Sequence, residues 1–382
     1  MFTLIQNANL YTPDPVGIKD ILIVGEKIVQ IDDAISITGI PVQTLDAGGK
    51  IVTPGLIDQH IHITGAGGKY SFMSMTPEIM LGELIRVGTT TVMGLLGTDG
   101  SARSLKTLYA KVKALEQEGI SAYMLTSYFN VPPLTFLETV QDDMVFIDKV
   151  IGCKIAVSEE RGSFPTANEF LKILKQVRVG GMISGKGGIL HIHLGALSTG
   201  MQPVLELVTQ YEFPIQHISP THCIRTKSLF DESLEFARLG GMIDISTGGT
   251  QYTAPHKAVL YALEQGIPME RMTFSSDGNA GIGITNEQGE LIGFKKAPIH
   301  RNLEEVVLLI KEGGVEIGEA FKLITSSPAH NLKLPHKGKV AVGLDADFCF
   351  FDEDFNLLDV FARGQHMMKD GELLKKGSFE LT

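Results

Sequence analysis

The sequence predicts an α/β fold, a (β/α)8 barrel carrying a small β-domain assembled from both termini, on three observations. The chain has 382 residues, about the length of an eight-unit barrel of roughly 250 residues plus an accessory domain. Eight short apolar runs alternate with amphipathic segments, as successive βα units of a parallel sheet do. Both ends lack the helical period and consist of short strands broken by Gly and Asp.

The N-terminal strands are FTLIQNANLYT, DILIVGEKIVQID and VQTLDAGGKIVT, with turns at Gly25-Glu26-Lys27 and Ala47-Gly48-Gly49. From about Lys339 the same style returns in KVAVGLDADFCFFD. Residues 1–53 and 338–382 are therefore expected to form the β-domain, and 54–337 the barrel. The eight runs are LIDQHIHI (56–63), TTTVMGLL (89–96), SAYMLTSYF (121–129), CKIAVSEE (153–160), GILHIHLG (188–195), PIQHISPTH (214–222), MIDIST (242–247) and MTFSSDGN (272–279). Between them SLKTLYAKVKALEQEG, NEFLKILKQVRVGG and SLFDESLEFARLGG space apolar residues three and four apart and end in Gly, as amphipathic helices do. Thr76-Pro77 offers an N-cap and a first-turn proline for a helix beginning near Ile79.

Apolar residues at 43% and charged residues at 20% exclude disorder. The formal net charge of −11 opposes nucleic acid and anionic membrane surfaces as partners. Cys153, Cys223 and Cys349 are widely spaced and form no CxxC pair, so neither a disulfide framework nor a zinc ribbon is indicated. With no secretory leader pattern and no long apolar span, the reading is a cytoplasmic protein.

In such a barrel catalytic groups belong at the carboxyl ends of the strands, and the polar anomalies fall there. His60 and His62 close the first run, two residues apart and so expected to project to one side. Lys154 lies in the fourth run, His191 and His193 in the fifth; His222 ends the sixth and Asp277 closes the eighth. Imidazole and carboxylate ligands suit zinc or a similar divalent ion. The group exceeds what one tetrahedral ion needs with a water position open, so a binuclear centre is expected. Spacing does not choose between His191 and His193. His217, an odd offset from His222, would face away and reads as a hydrogen-bonded core residue.

Lys154 sits in the apolar context IGCKIAV, where desolvation would favour a neutral amine able to capture carbon dioxide as a carbamate. A lysine at the start of a strand more often snorkels to water. Asp277 could instead cap the Gly278-Asn279 turn.

GLIDQHIH, VMGLLGTDG, AYMLTSYFNVP, VIGCKIAVSEERG, PTHCIR, LEFARLGGMIDIS and SSDGN together resemble the amidohydrolase superfamily, and within it the isoaspartyl dipeptidase family, over nearly the whole chain. The resemblance implies a barrel flanked by a β-sandwich from both termini and two zinc ions. His60 and His62 would hold one ion, His193 and His222 the other, and a CO2-derived carbamate on Lys154 would bridge them. Asp277 would ligate the first ion and shuttle protons. Arg161 and Arg225 would bind substrate carboxylates, which suits a guanidinium fork; Gly67 and Thr98 would line the pocket. A homo-oligomer is also implied.

Three positions depart from that family's pattern. Lys69 stands where it has a glutamate for the substrate's α-amino group, Phe129 where it has a tyrosine supporting the reacting carbonyl, and Gly281 where it has a carboxylate-binding serine. The expected activity is hydrolysis of a small acidic amide, a β-aspartyl dipeptide in first place, by metal-bridged hydroxide. The alternative is an N-acyl amino acid or cyclic amide lacking a free amine. A non-catalytic assembly protein on the same fold is opposed by retention of the whole ligand set.

Overall fold

The computed structural model describes residues 2–249 and 251–380. Eight parallel strands follow the predicted runs: Leu56–Ile61, Thr89–Gly94, Ser121–Thr126, Val150–Val157, Ile189–Leu194, Ile218–Thr221, Ile243–Ser246 and Met272–Ser275. The first six pair in chain order as one sheet and the last two pair with each other. The sheet curls so that its ends meet that pair: the Cys223 amide donates to the Asp244 carbonyl, and Ile61 bridges Gly278 in parallel. The result is a TIM-type barrel. Every residue of these strands except half-buried Tyr123 is buried, which is why they read as nearly continuous apolar runs rather than alternating ones.

The helices form where apolar spacing and caps agree. Leu105–Glu118 starts on Ser104, whose side chain accepts from the Thr107 amide, and stops at left-handed Gly119. Ala167–Ser184 opens on a capping box between Thr166 and Glu169. This helix corrects the expectation that it ends at Gly180-Gly181. A Cβ on Gly180 would lie 3.0 Å from that of Met144, so the glycine lets the helix pack closely against its neighbour instead of ending it. Thr76 caps no helix; the next helix, Leu81–Ile85, begins later. Its hydroxyl accepts from the Ala66 amide at 2.7 Å and faces the Asn279 carbonyl at 2.7 Å.

Both termini enter one nine-stranded sheet. Ile51–Pro54 pairs in parallel with Phe2–Tyr11 and antiparallel with Phe348–Phe351 from the other end of the chain. Ile5, Leu10, Ile21, Val52, Phe348, Phe350 and Phe361 form an apolar cluster of its own there. A second antiparallel pair, Gly281–Thr285 with Leu291–Lys296, rises after the eighth barrel strand; its partly exposed strands carry little of the apolar pattern that marks the others. Among the described residues no helix is long and apolar enough to cross a membrane.

Candidate metal centre

The barrel's carboxyl end opens into a cavity of about 530 Å3 whose lining includes His62, Lys154, His193, Arg225 and Asp277, a size typical of small-molecule sites. A larger cavity of about 1070 Å3 lies at the opposite end and holds none of the predicted ligands. Volume alone does not locate the chemistry.

His60 and His62 both reach Asp277, their Nε2 atoms lying 3.4 and 3.2 Å from its Oδ1. One ligand atom from each of the three residues falls within 4.8 Å of the others. Asp277 therefore turns its carboxylate onto the histidines and does not cap the turn; the Gly278 amide bonds to the Ser276 hydroxyl instead. Asp277 and His222 both take left-handed backbone angles, φ 48° and 64°, an unfavourable conformation for non-glycine residues that is concentrated at functional sites.

Lys154 lies mid-strand and fully buried, so it does not snorkel to water. Its Nζ donates to the Leu96 carbonyl at 2.9 Å and lies 3.5 Å from His60 Nε2. Burial pushes this amine down to about 7. Burial, with Lys154 alongside, likewise drives His60 down to about 3, so its imidazole is neutral near pH 7. His62, His193 and His222 are shifted down by burial as well. Burial alone would raise Asp277, but the surrounding imidazoles hold it well below the usual carboxylate range.

His193 and His222 stand edge to face, ring centroids 4.5 Å apart, and His222 is 5.0 Å from His60. The Ser246 hydroxyl holds His222 Nδ1 at 2.6 Å, and His222 Nε2 is buried without a hydrogen-bond partner. Glu159 Oε2 lies 3.3 Å and an Arg225 nitrogen 3.4 Å from His193 Nε2, so a carboxylate and a guanidinium both meet that nitrogen. Neutral imidazoles, two of them (His62 Nδ1 and His222 Nε2) with a buried nitrogen that has no hydrogen-bond partner, a buried amine and an ionised carboxylate form a donor set that fits divalent cations.

Around this group lie Thr98, Phe129, Arg161 and Gly67. Glu159 holds Arg161 through Nε at 2.7 Å and a second nitrogen at 2.9 Å. The Phe129 ring sits 4.3 Å from that of His193 and 5.5 Å from Lys154 Nζ. Lys69 lines the mouth with Tyr70 and Gly281. Its loop is tied down: Arg103 donates to the Thr64 and Thr76 carbonyls at 2.6 and 2.7 Å, and the Tyr70 amide to the Ser74 hydroxyl at 3.0 Å. Asp277 is the only carboxylate among the described lining residues, against Lys69, Lys154, Arg161, Arg225, Lys295 and Arg301.

The sequence pattern did not point to Glu159, Ser246 or the strand pair after Gly281 that contributes Lys295. The first two are polar groups inside strand-end runs, a signal that was available. His217 bonds the Gly188 carbonyl at 2.7 Å as a core residue. His191 lies one layer below the centre, its Nε2 2.8 Å from His60 Nδ1.

Residues 217–374 match the amidohydrolase family. A β-aspartyl dipeptidase from Fervidobacterium islandicum AW-1, determined in complex with the β-Asp-Leu dipeptide, is 39% identical, with 98% of each chain covered and a TM-score of 0.91. Dihydropyrimidinase from Brevibacillus agri shares the fold, with a TM-score of 0.69 at 16% identity over 99% of this chain and 97% of that one. Among curated relatives, an adenine deaminase from Methanoregula boonei is 24% identical over 84% of this chain and 51% of its own. A dihydroorotase from Listeria monocytogenes is 25% identical over 49% and 43%. The chain spans about half the length of these curated relatives or less.

Proposed function

The chain belongs to the amidohydrolase family, and from that premise we propose that it is a metal-dependent hydrolase of small acidic amides, with a β-aspartyl dipeptide as first substrate. The observation that carries the reading is the convergence of His60, His62 and Asp277 with Lys154, His193 and His222, in a cavity that also presents Arg161 and Arg225. The likeness to a dipeptidase determined with β-Asp-Leu supports the substrate.

His60 and His62 would hold one divalent cation, His193 and His222 a second, and Lys154, as its carbamate, would lie between them, with Asp277 completing the first set. Zinc suits these ligands. The cations would supply hydroxide near neutral pH and polarise the scissile carbonyl. Asp277 takes the proton lost as the nucleophile attacks and delivers it to the leaving nitrogen, serving as base and then acid. Arg161, preset by Glu159, and Arg225, whose Nε is buried without a partner, clamp substrate carboxylates. Thr98 and Gly67 bound the cavity beside them. Asp277→Asn is expected to abolish turnover while leaving most of the metal bound; full turnover in that variant would refute the assignment.

A second reading rests on the cationic mouth. Lys69 repels a substrate ammonium, Phe129 offers no hydroxyl to a developing oxyanion, and Gly281 has no side chain to bind a carboxylate. Together they favour an acidic amide without a free amine, such as an N-acyl amino acid or a cyclic amide. Protein loaded with zinc in bicarbonate buffer should be given β-aspartyl-leucine and its N-acetyl form in parallel. Release of aspartate from the free dipeptide supports the first reading; cleavage of the acetylated form alone supports the second.

We also propose that residues 1–53 and 338–382 form a β-sandwich domain and 54–337 the catalytic barrel.

A further inference from the structure

We propose that His191 is a positioning residue that presents His60 to the metal centre, an inference that rests on the metal-dependent reading above. His191 is fully buried and lines no part of the active-site cavity. Its Nε2 lies 2.8 Å from His60 Nδ1, and its Nδ1 lies 3.1 Å from the Ser219 hydroxyl. A metal ion bound through His60 Nε2, the atom that faces Asp277 and Lys154, requires the His60 proton on Nδ1. His191 Nε2 is the acceptor placed to receive it.

The remaining bonds are compatible with that assignment. Asp244 accepts from Gln59 Nε2 at 2.7 Å, so the Gln59 amide turns its oxygen toward Asn331, whose Nδ2 donates to it at 2.9 Å. The same Nδ2 donates to the Ser219 oxygen at 2.8 Å, and the second lone pair of that oxygen can accept the proton that His191 Nδ1 must carry when His60 Nδ1 donates to His191 Nε2. With that proton in place, His191 Nε2 can only accept. A buried chain from Asp244 through Gln59, Asn331, Ser219 and His191 thus accommodates the tautomer of His60 that carries its proton on Nδ1. The strand irregularity between Asp58 and Ile61 lets the consecutive side chains Gln59 and His60 both join this interior chain.

The test is zinc affinity, measured by competition with a chromophoric chelator on metal-free full-length protein, for wild type, His191→Phe and His191→Gln. Glutamine can place an amide oxygen where Nε2 stands; phenylalanine fills the space without an acceptor. His191→Phe is expected to weaken zinc binding at the His60–His62 site about 10- to 100-fold, while His191→Gln recovers most of that loss. Ser219→Ala, which unpins His191 with little change in volume, is expected to weaken it several-fold, and serves if the phenylalanine variant does not fold. Wild-type affinity in both His191→Phe and Ser219→Ala, or equal losses in the phenylalanine and glutamine variants, would overturn the inference while leaving the metal reading intact. A wild-type protein that binds no zinc would overturn both.

Discussion

Lys154 shows most directly what burial does to a single side chain here. Its amine loses its proton near pH 7 in the folded chain but keeps it to about 10.5 when unfolded. Between these values the unfolded state binds the extra proton, so the stability of the metal-free protein rises with pH, by up to about 1.4 kcal/mol per unit. Below pH 7 both states are protonated and the contribution is flat, with the full penalty present. Urea unfolding of wild type and Lys154→Met between pH 6 and 9.5 measures this: the variant's advantage should be largest at pH 6 and shrink as pH rises. A constant difference would contradict it. By the same logic carbon dioxide capture needs the neutral amine, so zinc loading in bicarbonate should be less complete at pH 6 than at pH 8. The residue types and their strand positions were readable along the chain, as was an apolar neighbourhood for Lys154. Its complete burial was not, because that depends on packing by His60, Phe129 and Leu96 from three other segments.

The loop after the first barrel strand sets the shape of the pocket mouth. Gly67 takes φ 114°, and a Cβ there would fall 2.1 Å from the Ser74 carbonyl oxygen, so Gly67→Ala must displace the loop that carries Lys69. The expected result is a fall of about 100-fold in kcat/KM, with metal content unchanged because the ligands sit on barrel strands or within two residues of their ends. Loss of metal in this variant would show that the loop also holds the centre. Strands and capped helices were legible wherever local signals agreed, as at Ser104 and Gly119. Gly180-Gly181 and Thr76 misled because glycine and threonine each serve two purposes. Glycine ends helices and also admits a close neighbour; threonine caps helices and also ties loops. The pair spanning Gly281–Lys296 was invisible because partly exposed strands lack a strong apolar pattern.

Across the whole molecule, the two chain ends are held together by one sheet and its apolar cluster. Phe350 is fully buried in that cluster, its ring 5.7 Å from that of Phe361. Phe350→Ala is expected to cost about 3–5 kcal/mol, seen as a lower urea midpoint, with the geometry of the remote metal centre preserved in the protein that remains folded. Lys337, buried between Asp345 and Asp347 at 2.8 and 2.6 Å, links the last barrel segment to this sheet. The amino-acid order sufficed for the alternation that makes a barrel, the β-rich ends, and the histidines, lysine and aspartate that meet at its mouth. Strand period and strand-end position are local properties, and a barrel has only one active face. Tertiary structure alone decided which imidazole nitrogens face the centre, that His191 supports His60 from below, that Glu159 presets Arg161 and His193, and that Lys69 faces the cavity on a tethered loop. Each of these depends on a hydrogen bond or close contact between segments distant in sequence, and no local pattern encodes such a contact.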